Sequence, residues 1–481
     1  MNYGVVRYIL GRILQAEGAF LVFPMIVGII YGEYNDLMAY GITLLICFLV
    51  GTLLSLRKPS KGGLFLKEGF FVVGLGWILM SVFGAVPFVI SGAIPNYIDA
   101  VFETASGLST TGASILTDVE ALSRTNLFWR SFTHLLGGMG VFVFLSALLP
   151  MLGGNSMNLM KAESTGPSVD KLVPRLKDTA KILYAIYLSM GLVEAVTLFI
   201  LGLPVYDSLL LTFGTIGTGG FGVLNTSIST YSPAIQWTIT VFMFLSGVNY
   251  AMYFLILRRK FKSALKLSEV RLYFFVYVIC VVLICFDLRD YYPVFSENIR
   301  QSAFQVSTLL TSTGYMTADF NAWPEFSKCL LIFIMLMGAC AGSTGGGIKM
   351  SRVMIIFKSI KKQLQMLIHP RAIKKIKVDG ADVDHDVVRA TNAYIAVFCL
   401  FLAISTVLLS INGFDFTTNF TATLATLNNM GPGFNLVGPT QNYSFFSPFS
   451  KIVLIIDMLA GRLELFPILL LMTPGSWKRR L

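Results

Sequence analysis

The chain has 481 residues, 55% of them hydrophobic and only 13% charged, with a formal net charge of +11. Soluble domains carry about 25% charged residues, and this much apolar material exceeds what one compact core buries, so a soluble enzyme is excluded and a bilayer is the expected solvent. The positive charge does not point to nucleic acid, because the basic residues fall in short clusters between apolar runs and not over one surface.

A helix needs about 20 apolar residues to cross roughly 30 Å of hydrocarbon, and ten crossings are expected. The first, residues 10 to 31, is interrupted by Glu17 and Pro24; the second, 37 to 56, is plain. Arg7 and Arg12 lead into the first without a small-residue cleavage site, so no removable signal is read there. After the third crossing, 66 to 91, come a stretch too short to span, Tyr97 to Leu108, the polar turn Ser109-Thr110-Thr111-Gly112-Ala113, and a fourth crossing, 127 to 150. The pattern returns as 179 to 203, Asp207 to Thr215, the turn Ile216-Gly217-Thr218-Gly219-Gly220-Phe221, and 234 to 257. It returns again as 270 to 288, Glu297 to Leu310, Thr311-Ser312-Thr313-Gly314-Tyr315, and 323 to 363, the last broken by Ala341-Gly342-Ser343-Thr344-Gly345-Gly346-Gly347. The final round is 388 to 411, Asp415 to Leu427, Asn428-Asn429-Met430-Gly431-Pro432-Gly433-Phe434, and 449 to 472.

Aligned on Gly112, Gly219, Gly314 and Gly431, the rounds repeat at about one hundred residues, as a duplicated transport module does. The runs 69 to 98, 131 to 160, 208 to 257 and 416 to 450 hold no Asp, Glu, Lys or Arg. The second and fourth turns lie inside such runs, and the first and third inside shorter uncharged stretches, 104 to 117 and 301 to 318; all four are read at membrane depth, where non-helical backbone is tolerated only if it is buried in protein or lines a water-filled path. Gly and Thr there suit a dehydrated cation ringed by backbone carbonyls, because Gly turns carbonyls inward and has no side chain to fill the hole. The expected filter residues are Thr110, Thr111, Gly112, Gly217, Thr218, Gly219, Ser312, Thr313, Gly314, Asn429, Met430 and Gly431, with the cation held at their carbonyls. One such turn would read as a helix cap with Gly in the left-handed position; four in register point to a pore.

The run from Ala341 to Gly347 cannot continue a helix cheaply, at about 1 kcal/mol per Gly. It is read as a gate beneath the filter, a flexible kink being the alternative. Arg462 lies inside the last crossing, where a cation costs about 2.5 to 3.5 kcal/mol, so it must face water or a partner. Asp457 and Glu464, in the same helix, lack the three- or four-residue offset that would pair them with it; an interhelical or subunit-interface salt bridge is the alternative to a place in the pore.

Four basic loops share one side if the count of ten holds. They carry Arg57, Lys58, Lys61 and Lys67; Lys161, Lys171, Arg175, Lys177 and Lys181; Arg258 to Lys266; and Lys358 to Lys377. That side is expected to be cytoplasmic, with both termini there. The six cysteines are scattered in apolar runs and read as small hydrophobes, and His134, His369 and His385 are too far apart for a metal site. Gly217 to Gly222 fits G-x-G-x-x-G but lacks a βαβ context, and the run from Gly342 has Ile348 where a phosphate loop needs lysine.

These motifs resemble the TrkH-type subunits of the Trk/Ktr/HKT superfamily of potassium transporters. The resemblance extends to the two leading helices, His134-Leu135-Leu136-Gly137-Gly138-Met139-Gly140, Lys161-Ala162-Glu163, Gly166-Pro167-Ser168 and Gly461-Arg462-Leu463-Glu464. It implies an all-α polytopic membrane protein: two leading helices (1–60) and four units of helix, pore loop, helix around one central pore (61–165, 166–265, 266–380 and 381–481). It also implies a homodimer in a bacterial cytoplasmic membrane and a TrkA-type cytoplasmic partner that binds the regulatory nucleotide. No cofactor is expected in this chain, with potassium its substrate. By resemblance, Gly at all four filter positions favours potassium over sodium, and the arginine of the last helix lies beneath the filter. The fourth turn, with Asn428, Asn429 and Pro432, departs most from the Thr-Gly pattern.

Other classes fit less well. A solute symporter of different fold would use intramembrane carboxylates such as Glu194, Asp457 or Glu464 but leaves the glycine register unexplained; a membrane enzyme would need a catalytic constellation, and none is evident. An ion-coupled potassium symporter of the same superfamily stays open.

Overall fold

The computed structural model of the chain describes residues 2–57, 66–138, 140, 176–370 and 375–477. The protein is an all-α polytopic membrane protein. Among the described residues, six helical segments are long and apolar enough to cross a bilayer: Tyr3–Tyr31, Tyr34–Ser55, Lys67–Ile90, Lys181–Ile200, Ser268–Asp287 and His385–Ser410. Their apolar faces sort by depth in the bundle. Leu400, Ile404, Val407 and Ile411 form an exposed stripe at helical spacing, while Tyr394, Phe398, Ser405 and Leu409 turn inward. Such an exposed stripe is what a lipid-facing helix presents.

The other four expected crossings are not straight spans among the described residues. Arg124–Gly138 reaches the edge of the described chain, so the expected extension to residue 150 lies outside it. The expected plain crossing 234 to 257 is two helices, Pro233–Ser246 and Tyr250–Leu257, meeting at 91°. Asn249 makes the bend, its side-chain oxygen accepting from the Ala251 amide at 2.9 Å to start the second helix. The crossing expected over 323 to 363 is Glu325–Met337 and Met350–Ile368, so the break is wider than the glycine run. The last crossing is also broken, into Pro448–Arg462 and Phe466–Met472. Glu464 and Leu465 sit there at φ 60° and 69°, and Pro467, which cannot donate to a preceding turn, lies in the first turn of the new helix.

Four short helices stand between the longer ones: Tyr97–Leu108, Val205–Ile216, Phe295–Leu310 and Phe416–Leu427. At about 1.5 Å per residue each is about 18 to 24 Å long, too short to cross. Two of the starts, the first and the fourth, are capped by a side chain. Asn96 accepts from the Ile98 amide at 2.9 Å and Asp415 from the Thr418 amide at 3.0 Å, satisfying donors that a helix N-terminus leaves free.

On the far side of the long Met350–Ile368 helix, a two-residue antiparallel ladder pairs Lys377 with Asp382 and Val378 with Ala381. Asp379 and Gly380 turn it with both φ positive, 52° and 84°, as a type I′ hairpin requires. Several expected features lie outside the described residues: Lys58, Lys61, Met139, the 161–163 and 166–168 motifs, Lys171, Arg175, Arg371, Lys374 and the tail from Lys478.

Candidate permeation site

Each short helix ends the same way. Thr110 N donates to Gly107 O at 3.1 Å and Thr111 N to Ser106 O at 2.8 Å, the pair of bonds of a Schellman cap. The same two bonds recur at Thr218 and Gly219, Ser312 and Thr313, and Asn429 and Met430. The left-handed residue of each cap is not glycine: it is Thr110, Thr218, Ser312 and Asn429, at φ 53° to 57°. A non-glycine residue there costs of order 1 to 3 kcal/mol, and such strain persists only where the surroundings over-determine it.

This geometry corrects the register expected for the second turn. The residue two after each strained position is Gly112, Gly220, Gly314 or Gly431, so Gly220, not Gly219, stands in line with the other three. Gly217 corresponds to the last cap residue of its helix, leaving Thr218, Gly219 and Gly220 as the aligned triplet. Gly112, Gly220 and Gly314 have φ of 78°, 74° and 88°. Gly431 does not enter the left-handed region, so the fourth turn departs in backbone as it does in sequence.

These glycines bring the four turns into a closed ring. A β-carbon on Gly112 would overlap the Gly219 carbonyl, and one on Gly220 the Thr313 carbonyl; one on Gly314 would lie 3.1 Å from Gly431 N, and one on Gly431 2.7 Å from Gly112 O. Each glycine thus abuts the next turn. The sequence argument, that a side chain would fill the hole, gives way to a tighter one: a side chain would strike the neighbouring backbone. Further contacts tie the outer edges. Ile228 N donates to Met316 O at 3.0 Å, and Tyr443 N donates to Ser114 O at 2.8 Å. Asn225 Nδ2 donates to Asp118 at 2.8 Å, which holds that exposed carboxyl below the usual carboxylate range. At the inner edge, Asn429 Nδ2 reaches Thr111 Oγ1 at 3.2 Å and Met458 O at 2.7 Å.

The twelve residues of the aligned triplets carry no charge. What they offer a cation is backbone oxygen and the C-terminal ends of four helices, each with about half a negative elementary charge. That combination suits a dehydrated monovalent cation.

The segment 338–349 packs against this ring. Gly346 N donates to Ser312 Oγ at 2.5 Å, and a β-carbon on Gly346 would overlap the Asn428 carbonyl. Thr344 Oγ1 donates to Ser246 O at 3.3 Å, Cys340 N to Gly247 O at 3.0 Å, and Tyr250 N to Gly342 O at 3.1 Å, so the 91° bend of the second unit embraces the loop. Gly342 and Gly347 hold φ of 69° and 83°, and Ala341 and Gly345 lie buried or close-packed between these contacts. Ser343 Oγ turns back to Cys340 O at 2.6 Å. The segment is a hydrogen-bonded loop and not a slack kink.

Arg462 is not mid-helix as expected but the last residue of its helix. Its guanidinium donates to Thr344 O at 2.8 Å and to Gly138 O at 2.7 Å, and it also reaches Gly137 O. It therefore joins the 338–349 loop to the end of the Arg124–Gly138 helix. Glu464 pairs instead with Arg352, and Asp457 accepts from Ser405 Oγ at 2.8 Å.

Two charged residues of this region were not picked out from sequence. Lys349, 3% exposed and at φ 79°, folds its ammonium back onto Gly345 O. Its signal was present: it is the one charged residue between Lys328 and Arg352. Glu269 accepts from Ala341 N at 2.6 Å, Ser351 N at 3.0 Å and Asn249 Nδ2 at 3.3 Å. One carboxylate thus clasps both ends of the loop. In sequence it is only an acidic residue in a first helical turn, which its favourable place near a helix N-terminus explains without any distant partner.

Comparison with known proteins gives a concordant result. The family model described as TrkH, cation transport protein, matches residues 37–478. The Trk system potassium uptake protein TrkH of Salmonella typhimurium is 34% identical over 99% of this chain and 100% of its own length. TrkG of Escherichia coli is 32% identical over 98% of each chain. The crystal structure of the potassium transporter TrkH from Vibrio parahaemolyticus superposes with a TM-score of 0.87 at 31% identity, covering 99% of this chain and 100% of that one.

Proposed function

Since the chain belongs to the TrkH family of cation transport proteins, we propose that it takes up potassium through the ring of four turns, which acts as a carbonyl-lined filter. The observation that carries this reading is the ring itself: four strained, uncharged caps, each glycine abutting the next turn, at the C-terminal ends of four short helices. The four helix, loop, helix units are read as repeats around one pore, preceded by the two leading helices.

The driving force is the membrane potential, about 2.3 kcal/mol per charge per 100 mV, or roughly 50-fold accumulation of a monovalent cation. That force needs no site of its own in the chain. The 338–349 loop closes the path beneath the filter, and Arg462 sets a positive charge at the loop's edge, opposing cation passage. Opening is controlled from the cytoplasmic side by a nucleotide-binding partner of the TrkA type. The protein works as a homodimer in the cytoplasmic membrane of a bacterium, both termini inside. The basic residues from Lys358 to Lys377, on the end of the Met350–Ile368 helix and the segment after it, lie on that inner side and meet anionic headgroups.

Reconstitution into liposomes tests the reading. With potassium, rubidium or sodium as the permeant ion and an imposed potential, potassium and rubidium should enter far faster than sodium. Uptake that requires a sodium or proton gradient and ignores the potential would replace this mechanism with ion-coupled symport.

A further inference from the structure

Behind the ring, the turns are supported unequally. Glu103 is the fifth residue before the end of the first short helix, and Leu211, Gln305 and Ala422 hold the same place in the other three. Glu103 and Arg130 form an ion pair at 2.6 Å with side-chain exposures of 0% and 3%. The carboxylate also accepts from Ser114 Oγ at 2.9 and 3.1 Å and from Ile115 N at 3.0 Å. Ser114 and Ile115 follow the first filter triplet with only Ala113 between.

Arg130 completes the bridge. Its Nη1 donates to Gly222 O at 3.1 Å, and its guanidinium lies 3.6 Å over the Phe221 ring. Phe221 and Gly222 directly follow the second triplet. The other side of this junction is closed by His134, whose ring is 4.2 Å from the Phe221 ring, whose Nε2 accepts from Phe221 N at 3.2 Å, and whose Nδ1 meets Gly107 O at 2.9 Å. The third turn has a neutral counterpart, Gln305, with Thr317 Oγ1 within 3.3 Å of its amide.

A buried ion pair is a poor source of stability, because desolvating two charges offsets their attraction; apolar residues of similar volume commonly serve as well. What it supplies is geometry, since a guanidinium fork and a carboxylate fix several backbone groups at once. We propose that Glu103 and Arg130 are specificity-determining positioning residues, which set the separation of the first and second turns and thereby the preference for potassium over sodium. The proposal rests on the filter reading above. Neither side chain needs to touch the ion: the pair acts through Ser114, Ile115, Phe221 and Gly222, the residues that anchor two of the four carbonyl arrays.

The test is relative uptake of potassium, rubidium and sodium by liposomes containing the purified full chain. The double variant Glu103→Leu/Arg130→Met leaves no orphan buried charge and is the main arm; Ser114→Ala, which keeps both charges and removes one hydroxyl, is the second. A purely structural pair would lower the amount of active protein and scale all three fluxes together, leaving their ratios intact. The proposal expects the potassium-to-sodium ratio to fall about tenfold in the double variant and about threefold in Ser114→Ala, the latter a fraction of what one lost hydrogen bond to a charged acceptor is worth. Wild-type ratios in the folded double variant overturn it; should that variant fail to fold, a wild-type ratio in Ser114→Ala does so. Gly112→Ser separates the two layers of inference. If it lowers the ratio while the pair variants do not, the filter stands and this proposal fails; if none of the variants changes the ratio, the filter reading itself fails.

Discussion

Gly220→Ala is the sharpest probe of the ring, because its effect is expected from two separate physical terms. The backbone at Gly220 has φ 74°, and an L-residue held there costs roughly 1 to 2 kcal/mol. The added methyl would overlap the Thr313 oxygen and lie 2.9 Å from its carbon, where ordinary contact begins near 3.4 Å. Overpacking of this kind costs typically 1 to 3 kcal/mol, giving about 2 to 5 kcal/mol together. The backbone of the third turn must yield, since no flexible side-chain end is available to give way. Each 1.4 kcal/mol of that strain taken up by the filter is about a tenfold change in relative cation occupancy. Two comparisons dissect the sum. Gly314→Ala meets its nearest neighbours at 3.0 and 3.1 Å with φ 88°, so it bears mainly the backbone term; Gly431→Ala has no left-handed φ but sits 2.7 Å from Gly112 O, so it bears mainly the contact. Liposome uptake of potassium and sodium, normalised to protein that elutes as a folded peak in mild detergent, should give the largest loss of selectivity for Gly220→Ala. If folded Gly220→Ala keeps the wild-type potassium-to-sodium ratio, the corrected register and the ring are both wrong.

Other expectations concern the loop beneath the ring. Arg462→Ala should insert, fold and pass potassium faster at the same imposed potential, since it removes a positive charge and a tie between Thr344 O and Gly138 O; slower or unchanged flux would make the residue purely structural. Glu269→Gln keeps one acceptor oxygen but weakens the hold on Ala341 N and Ser351 N, so flux without any partner should rise, and an unchanged basal flux would remove Glu269 from the gate. Deleting Gly345 to Gly347 should raise basal flux more than Glu269→Gln, because it removes the segment packed against Ser312 and Asn428. Extraction from the native membrane in mild detergent should co-purify a soluble nucleotide-binding protein, and nucleotide should then alter flux; a chain that purifies alone and ignores nucleotide would act without a regulator.

Much of the architecture is legible in composition and spacing. The short helix ends at Leu108 and Leu310 follow directly from polar turns inside uncharged runs, because a helix cannot extend through a Thr-Thr-Gly or Ser-Thr-Gly cap at membrane depth. The register of the second turn is ambiguous in sequence because Gly217, Gly219 and Gly220 offer three glycines, and only the left-handed φ of Thr218 decides among them. The bend at Gly247 and the break after Arg462 carry weak local signals, one Asn and one Pro, and depend on packing against the 338–349 loop and the Arg352–Glu464 pair. Glu269 and Glu103 could not be assigned from the sequence at all. Their partners lie on other helices, so nothing in the local pattern distinguishes them from ordinary helix-terminal or core acids.

The closed ring also orders events during synthesis. The contact between Thr111 and Asn429 spans 318 residues, and a chain emerging N-terminus first cannot form it until the fourth turn has been made. The first three turns must therefore wait in the bilayer with strained caps and one open side, held by local helix packing. Closure is a late, high-contact-order step, so a chain halted after the third unit would contain most of the helices and no closed ring.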